Sequence, residues 1–584
     1  MNGDERGAVR HAGIADVVLT TAIVLCDVLL LAGSGWVVAV LLSGGWEWYT
    51  PVGHLRAYTA SSVIYAMVCL GVVRAAGIVR CPRFLGVVDL RRVRTRVEQG
   101  SEKWISAVER LDQRTVWRVL AIMVVLSSFG KILNAGYYDG FCCGDDVEIH
   151  EMTFARLFGL DWPVWNIRSA VYPLGVVYPV QAAAVYFGVS APETLILLGR
   201  LVVVAFSAVS LVLTYGYAKR VFGLQSVALG AAAVLSVNKL FSAYGSSELP
   251  GAVAAACLLG SAWCLRGASL GAFVLAAALM GAAASLRFSE LAFVAAAMVS
   301  LAASRQFLRG LVFGGLAFVF FLAFIGAADQ LYWGEPFASL RHIVDYTLVH
   351  RLSSRGFQPF HYYLSSATHW ADWILVAFIA YGATRAPLSV SAWFFVPLIL
   401  LSALPHKEER YLVPAMPFAA ILAGLGYQRL LERSRKPALR PGASTWRVWV
   451  TLALALAVVL ELDGFRFRRS EAAVHGARLI AALGPARVVA LEESWRAGGR
   501  LYLREMRAVL DIEPDAVTTA ERLEQFLTSS GADSVGLTQK TLADPRHGAL
   551  LQRLGFRELE AKSPPAPYRV FTRAPIRSPA RSPQ

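Results

Sequence analysis

Charge is scarce in this sequence. Asp, Glu, Lys and Arg make up 17% of its 584 residues, against about 25% in an ordinary soluble domain, and so small a share excludes a chain whose surface mostly faces water. CxxC spacing is missing among the seven cysteines, so neither a zinc ribbon nor a thioredoxin-like redox pair is encoded. Cys26, Cys69, Cys81, Cys257 and Cys264 sit in or beside apolar runs, as small buried hydrophobes do, while Cys142 and Cys143 are adjacent in a polar stretch. The net charge is +15, yet no basic patch interleaved with aromatics occurs, which argues against nucleic acid as a partner. A signal-peptide core followed by a small-residue cleavage site is also absent. The first apolar run, 15–43, exceeds the roughly 7 to 15 residues of such a core and reads as a retained span.

What the chain has in quantity is apolar length. Hydrophobic residues reach 56%, with a mean hydropathy of +0.51. Runs of the roughly 17 to 25 residues needed to cross a hydrocarbon core recur almost to Asp463. Spans are expected to start at Ala15, Tyr58, Arg118, Gly199, Ser226, Pro250, Leu270, Glu290, Leu311, Trp373, Ser389, Tyr411 and Arg447, about thirteen in all. The fold class is therefore an all-α polytopic membrane protein. Basic loops set its orientation. The densest, between Arg80 and Arg118, is assigned to the cytoplasm with the N-terminus, and Lys219/Arg220, Arg266, Arg305/Arg309, Arg385 and the segment 429–440 then fall on the same side. This alternation requires 172–187, with Pro173 and Pro179, to lie along the outer interface as a broken helix. Beyond residue 463 the chain becomes charged, and short apolar runs (487–491, 508–512, 534–537) alternate with helical patterns (519–527, 548–554). That reads as a small extracytoplasmic α/β domain with a largely parallel sheet. The organisation expected is an N-terminal hairpin and basic loop (1–117), a transmembrane core (118–463), the α/β domain (464–573) and a disordered tail rich in Pro, Arg and Ser (574–584).

The uncommon residues of the membrane part gather in the outer loops. The loop 137–198 carries GFCCGDDVEIHE, which places Asp145, Asp146, Glu148 and Glu151 within seven residues. Carboxylates so close raise one another's pKa and are costly to hold unless a cation, a proton or a substrate uses them; a general base at a membrane surface is one such use, a solvated acidic loop the plain alternative. Downstream, Arg168 is a planar cation suited either to a lipid phosphate or to headgroup anchoring. The turn LPHKEERYL packs His406, Lys407, Glu408, Glu409 and Arg410 together, more charge than a turn needs. A third outer loop begins at DQLYWGEPF, with Asp329 and Tyr332, and continues through His342, His350, His361 and His369. The spacing of these histidines is too irregular to define a metal site.

The acidic loop with WNIRSAVYP, the run RLVVVAFSAVSLVLTYGYAKRVFG, DQLYWGEPF and above all HKEERYLVPAMPF resemble the GT-C-fold mannosyltransferases that use dolichyl-phosphate-mannose, a class that includes enzymes of N-glycan precursor and GPI-anchor assembly and bacterial relatives. The similarity runs from about Arg118 to Arg429. It implies transfer of a sugar, mannose above all, from a polyprenyl-phosphate donor to an acceptor hydroxyl outside the cytoplasm, with inversion at the anomeric carbon. Asp145-Asp146 match the family's Asp-Glu pair, Glu151 its later acid, and His406, Lys407, Glu408 and Arg410 its second motif; GSSELP, with Glu248, matches a third element loosely. The resemblance thus implies Asp145 or Asp146 as base, Lys407, Arg410, His406 and Arg168 on the donor phosphate, and Glu151 and Glu248 as acceptor or supporting contacts; Glu148, Asp329, Tyr332, His361 and Glu408 complete the candidate substrate-binding set. The acceptor is a glycan, a lipid-linked chain or a protein, and a divalent metal is permitted without being required. Membrane lipids surround the core. Abundant Arg and Ala point to a GC-rich bacterial source and so to the inner membrane. A transporter or flippase for lipid-linked glycans is the rival; the scarcity of mid-span charge weighs against it.

Overall fold

In hydrocarbon every backbone N–H must find its partner within its own segment, so long apolar runs of Leu, Val and Ala become helices. The computed structural model describes residues 107–573, apart from 138–139, 142, 163, 165–166, 351–356, 434–452, 455, 459–460, 462–471, 485–486 and 560–567; ahead of residue 107 it describes only short pieces, chiefly 25–35 and two hairpins. These hairpins are antiparallel, β1 (Trp46–Thr50) with β2 (Gly53–Ala57) and β3 (Arg83–Phe84) with β4 (Val88–Asp89). The expected spans from Ala15, Tyr58 and Arg447 and the tail 574–584 lie wholly or largely outside the described residues.

From residue 113 onward the membrane part is a helical bundle. Its elements are α1 (Gln113–Tyr137), α2 (Gly144–Phe158), α3 (Tyr178–Tyr186), α4 (Pro192–Phe222), α5 (Gln225–Val237), α6 (Gly251–Leu265), α7 (Leu270–Leu286), α8 (Leu291–Ala303), α9 (Phe307–Trp333), α10 (Trp373–Ala383), α11 (Leu388–Ala403) and α12 (Met416–Arg433). Large apolar side chains such as Val125, Leu126 and Phe129 on α1 stand exposed, as they would toward lipid, and the chain is an integral membrane protein. Among the described residues four helical stretches are long and apolar enough to cross a bilayer, Gln113–Gly136, Pro192–Phe222, Phe307–Trp333 and Glu409–Glu432; seven more apolar helices have 10–17 residues. Thirteen spans are thus not reached by helix length alone. One reason is local. Asn238 leaves the helical region, and its side chain accepts from the Phe241 N–H at 3.0 Å, cutting the run after α5 into a second short helix, Lys239–Tyr244. The stretch containing Pro173 and Pro179 is not broken. A π turn over Pro173–Val177, closed by the Tyr178 N–H on the Pro173 carbonyl, runs straight on into α3 and carries the helix past Pro179.

Two close approaches hold the bundle together. A Cβ on Gly382 of α10 would collide with the Leu422 carbonyl, and one on Gly426 of α12 with the Phe378 carbonyl, so these helices meet backbone to backbone, as small residues allow in membranes. Farther along the chain, buried Glu461 accepts from the side-chain amide of Asn238 and from the N–H groups of Lys239 and Asp372, each at 2.8 Å. The Lys239 ammonium meets Asp372 at 3.0 Å.

The C-terminal part opens with α13 (Ala472–Ala481). A five-stranded sheet follows, built from β5 (Val488–Glu492), β6 (Ala508–Ile512), β7 (Ser534–Thr538), β8 (Arg557–Glu558) and β9 (Tyr568–Thr572), with α14 (Ala520–Ser530) and α15 (Pro545–Arg553). Its order is β6-β5-β7-β9-β8. The first three strands run parallel, as the apolar runs implied, but β9 and β8 add antiparallel pairs and make the sheet mixed. This layer does not hang free. Phe141, Val147, Phe154, Leu195 and Ile196 from the membrane part share one apolar cluster with Val474, Leu501, Tyr568 and Val570. Polar ties reinforce it, from Arg478 to Glu193 at 3.1 Å and from Arg504 to the Ser190 carbonyl at 3.0 Å.

Candidate active site

Helix α2 carries the acidic motif, and its geometry separates neighbours that the sequence leaves equivalent. Cys143 enters in extended conformation, and Asp145 and Asp146 occupy the first turn, where the helix dipole favours negative charge. Successive residues on a helix point about 100° apart. Asp145 and Glu148, three apart, therefore share one face, while Asp146 and His150 share another that is fully buried. Asp146 lies within electrostatic reach of Arg200 and Glu248. His150, held neutral by burial with its pKa lowered to about 3, meets the Gln181 amide at 3.1 Å.

The Asp145 face opens into a cavity of about 700 Å³. One carboxylate oxygen of Asp145 is 2.9 Å from Arg410, and the other pairs with Arg168, which also binds Glu148. Arg410 in turn pairs with Glu408 and donates to the Cys143 sulfur at 2.8 Å. It thus fastens the HKEER turn to the start of α2. His406 approaches Glu408 at 3.3 Å. A third cation, Arg287, leaves the end of α7 and lies 4.2 Å from the centre of the Tyr411 ring; among the described residues no carboxylate is within ion-pairing distance of it. The rest of the cavity wall is mostly apolar, including Ile167, Leu249, Phe288, Leu340 and Ile343. Burial raises the Asp145 pKa, but Arg168, Arg410 and Arg287 outweigh it and hold the carboxyl below its ordinary value. For Glu148 burial outweighs Arg168, and its pKa is raised.

Glu151 faces the C-terminal domain, where it accepts from the Arg500 N–H at 3.1 Å. Burial pushes its pKa up to about 7 against that hydrogen bond. The folded protein therefore binds a proton more tightly at Glu151 than the unfolded chain does, and this residue's contribution to stability declines as pH rises from about 4.5 to about 7. Glu151→Gln is expected to raise the melting temperature at pH 8, by up to about 3 kcal/mol in stability, with little change at pH 4.5; equal melting of variant and wild type at pH 8 would show that Glu151 is well solvated.

The structure brings Asp145, Glu148, Arg168, His406, Glu408 and Arg410 to the wall of one cavity, with Glu148 and Glu151 on a second beside it. Other candidates lie elsewhere. Lys407, expected on a phosphate, is buried with its ammonium donating to the carbonyls of Gln358, at 2.7 Å, and Leu404. Glu248 pairs with Arg200 at 2.5 Å, and its carbonyl accepts from the Tyr172 hydroxyl at 2.7 Å. Asp329 accepts from the N–H and hydroxyl of Ser339, fixing the turn into the helix Ala338–Val344. Tyr332 packs edge-on against Trp333, and His361 is exposed at the start of Tyr362–Ser365. Neither lines a cavity described here. Among the described residues no group of three or more His, Cys, Asp or Glu side chains could hold a metal ion. Arg287, Tyr411 and Trp495 line the Asp145 cavity without having been candidates. For Arg287 a signal was present, a single cation ending an apolar run at an outer turn; Trp495 had none.

The sequence model of the Alg9-like mannosyltransferase family matches residues 147–468. A Drosophila melanogaster protein described as Dol-P-Man:Man(7)GlcNAc(2)-PP-Dol alpha-1,6-mannosyltransferase is 29% identical over 171 residues, 28% of this chain and 24% of the relative; the match spans about a quarter of that relative's length. Among solved structures, ArnT from Cupriavidus metallidurans in the apo state superposes with a TM-score of 0.55 at 16% identity, over 79% of this chain and 99% of ArnT. ArnT bound to undecaprenyl phosphate gives 0.52, also at 16% identity, over 80% and 99%. These structural likenesses show a shared GT-C fold.

Proposed function

Because the chain belongs to the Alg9-like mannosyltransferase family, and is on that ground a glycosyltransferase, we propose that it transfers mannose from a polyprenyl-phosphate donor to a glycan hydroxyl in the Asp145 cavity, outside the cytoplasm. The observation that carries this reading is the two-ended cavity, with Arg168, Arg287 and Arg410 around one carboxylate and an apolar wall beyond. A lipid phosphate matches both ends. ArnT, of the same fold, is a protein with a structure bound to undecaprenyl phosphate, and the Drosophila relative is named for a dolichyl-phosphate-mannose donor and a lipid-linked mannose-rich acceptor. Family membership favours transfer over the transporter alternative.

In the mechanism the acceptor oxygen attacks the anomeric carbon as the bond from that carbon to the phosphate oxygen breaks. The acceptor proton passes to Asp145, and the bonding electrons leave on the polyprenyl phosphate. Attack opposite the leaving group inverts the centre, turning a β-linked donor into an α product. The leaving group is already a good one, so positioning and charge stabilisation supply most of the acceleration. Asp145 alone, bound by two arginines, is a weak base. A donor phosphate that draws Arg168 and Arg410 toward itself removes part of that stabilisation and raises the carboxylate's basicity when substrate is present. Arg287 is the cation best placed to meet the phosphate first, since among the described residues no carboxylate is within ion-pairing distance of it. The donor arrives from the membrane, by this reading the bacterial inner membrane, with the N-terminus cytoplasmic.

A charge-assisted hydrogen bond contributes about 1.5 to 3 kcal/mol. Arg287→Ala is accordingly expected to raise the KM for mannosyl-phosphoryl-undecaprenol by about 10- to 100-fold in nanodisc assays, with the KM for acceptor unchanged. An unaltered donor KM would remove Arg287 from the phosphate site.

A further inference from the structure

The C-terminal domain carries a second cavity, of about 1110 Å³, beyond the roughly 300 to 1,000 Å³ common for small-molecule sites. It lies at the carboxyl ends of the parallel strands, where Glu492 and Glu493 end β5, Ile512 and Glu513 end β6, and Thr538 and Gln539 end β7. With β6 on one side of β5 and β7 on the other, the strand order turns back there, the place where open α/β sheets receive ligands. The floor is built. Buried Glu492 accepts from the Thr538 N–H at 2.7 Å and from the hydroxyls of Thr538 at 2.9 Å and Thr541 at 2.7 Å, locking the ends of β5 and β7 together.

Two observations point to an occupant. His547 lines the cavity at 2% exposure, and neither of its ring nitrogens has a hydrogen-bond partner among the described residues. Buried polar atoms of that kind ordinarily have a partner. The second is continuity, since Gly144, Glu148 and Trp495 line both this cavity and the Asp145 cavity. The two are nevertheless unlike in chemistry. The Asp145 cavity offers an apolar wall, whereas this one mixes acceptors such as Asp511 with donors such as Arg500 and Lys540, next to an indole. Hydroxyl-rich rings need such a set, with polar groups for the hydroxyls and an aromatic face for the C–H side of the ring.

We propose that this crevice holds the sugar units of an oligosaccharide acceptor that lie behind the reacting hydroxyl, with the chain passing Trp495 and Glu148 to reach Asp145. The proposal rests on the transfer reading above and assigns the C-terminal domain to acceptor recognition.

The test uses the full chain in nanodiscs, with α-linked mannotetraose and methyl α-mannoside as probes and saturation-transfer NMR as the readout. Wild type is expected to bind the tetrasaccharide. Asp511→Asn/Lys540→Gln, both exposed positions, and separately His547→Ala, are expected to weaken that binding at least tenfold, with thermal melting of the double variant unchanged and methyl α-mannoside bound equally by all. Asp145→Asn is expected to bind the tetrasaccharide like wild type. Tetrasaccharide binding that is absent from wild type, or identical in wild type and the double variant, would overturn the proposal. If the crevice variants lose binding while wild type transfers no mannose from mannosyl-phosphoryl-undecaprenol, the crevice stands and the transfer reading falls. If transfer proceeds with an unchanged tetrasaccharide KM in the double variant, the crevice falls and the transfer reading stands.

Discussion

Asp145→Asn is expected to lower mannose transfer by about 10²- to 10⁴-fold, the usual contribution of a positioned base, while leaving the protein folded in the membrane. Asparagine fills the same space and can still accept from one of the two arginines that now contact the two carboxylate oxygens; its amide nitrogen faces the other, and it cannot take a proton. The neighbouring substitution separates base from scaffold. Asp146 is fully buried on the other side of α2, near Arg200 and Glu248, so Asp146→Asn is expected to alter thermal stability and to retain at least a tenth of the transfer rate. Full activity in Asp145→Asn would move the base to Glu148. That carboxyl also faces the cavity and has its pKa raised by burial, and Glu148→Gln would then carry the loss.

The second large effect is at Arg410. This guanidinium is 6% exposed, 2.9 Å from Asp145, paired with Glu408 and donating to Cys143. Although burial disfavours its charge, Asp145, Cys143 and Glu408 hold it firmly protonated. Removing one partner of a buried ion pair leaves the other uncompensated, at a cost of about 3 to 5 kcal/mol. Here Asp145 keeps its pair with Arg168 and Glu408 keeps His406 nearby, so that cost is an upper bound. Arg410→Gln is expected to lower thermal stability by up to that amount and to abolish transfer, since α2 and the HKEER turn lose their tie. Arg410→Lys keeps the charge but not the fork that reaches two carboxylates at once, and should fall between the two. A wild-type melting profile for Arg410→Gln would show that the turn and α2 are held by other contacts.

Much of the architecture was legible in the residues, and the parts that were not have identifiable physical causes. The apolar runs at 487–491 and 534–537 became β5 and β7 because a strand covered on both faces reads as an uninterrupted apolar run; the run 508–512 became β6 at the sheet edge, half-buried with Asp511 exposed. The antiparallel β9 (Tyr568–Thr572) lies in a segment where polar and apolar residues mix, and it escaped notice. Helix number was less readable than helix presence. Asn238 cuts a run by capping a new helix, a choice that hydropathy does not record. At the candidate site the acidic motif and HKEER could be found from charge density alone, yet which aspartate faces the cavity depends on helical phase. Lys407 looked like a phosphate ligand for want of any way to see the carbonyls of Gln358 and Leu404 folding over it. Arg287 and Trp495 reach the cavity from α7 and from the C-terminal domain, and a contact between segments so far apart in the chain leaves no local trace.

The central claim is that the Asp145 cavity carries sugar from a lipid phosphate to a glycan. Membranes containing the wild-type chain, incubated with [³H]mannosyl-phosphoryl-undecaprenol, should yield label in an α-linked glycan resistant to the mild acid that releases mannose from the donor, and membranes with Asp145→Asn should yield it at least about 100-fold more slowly. Label that stays entirely acid-labile on the polyprenyl carrier in wild type, whichever leaflet it occupies, would contradict it.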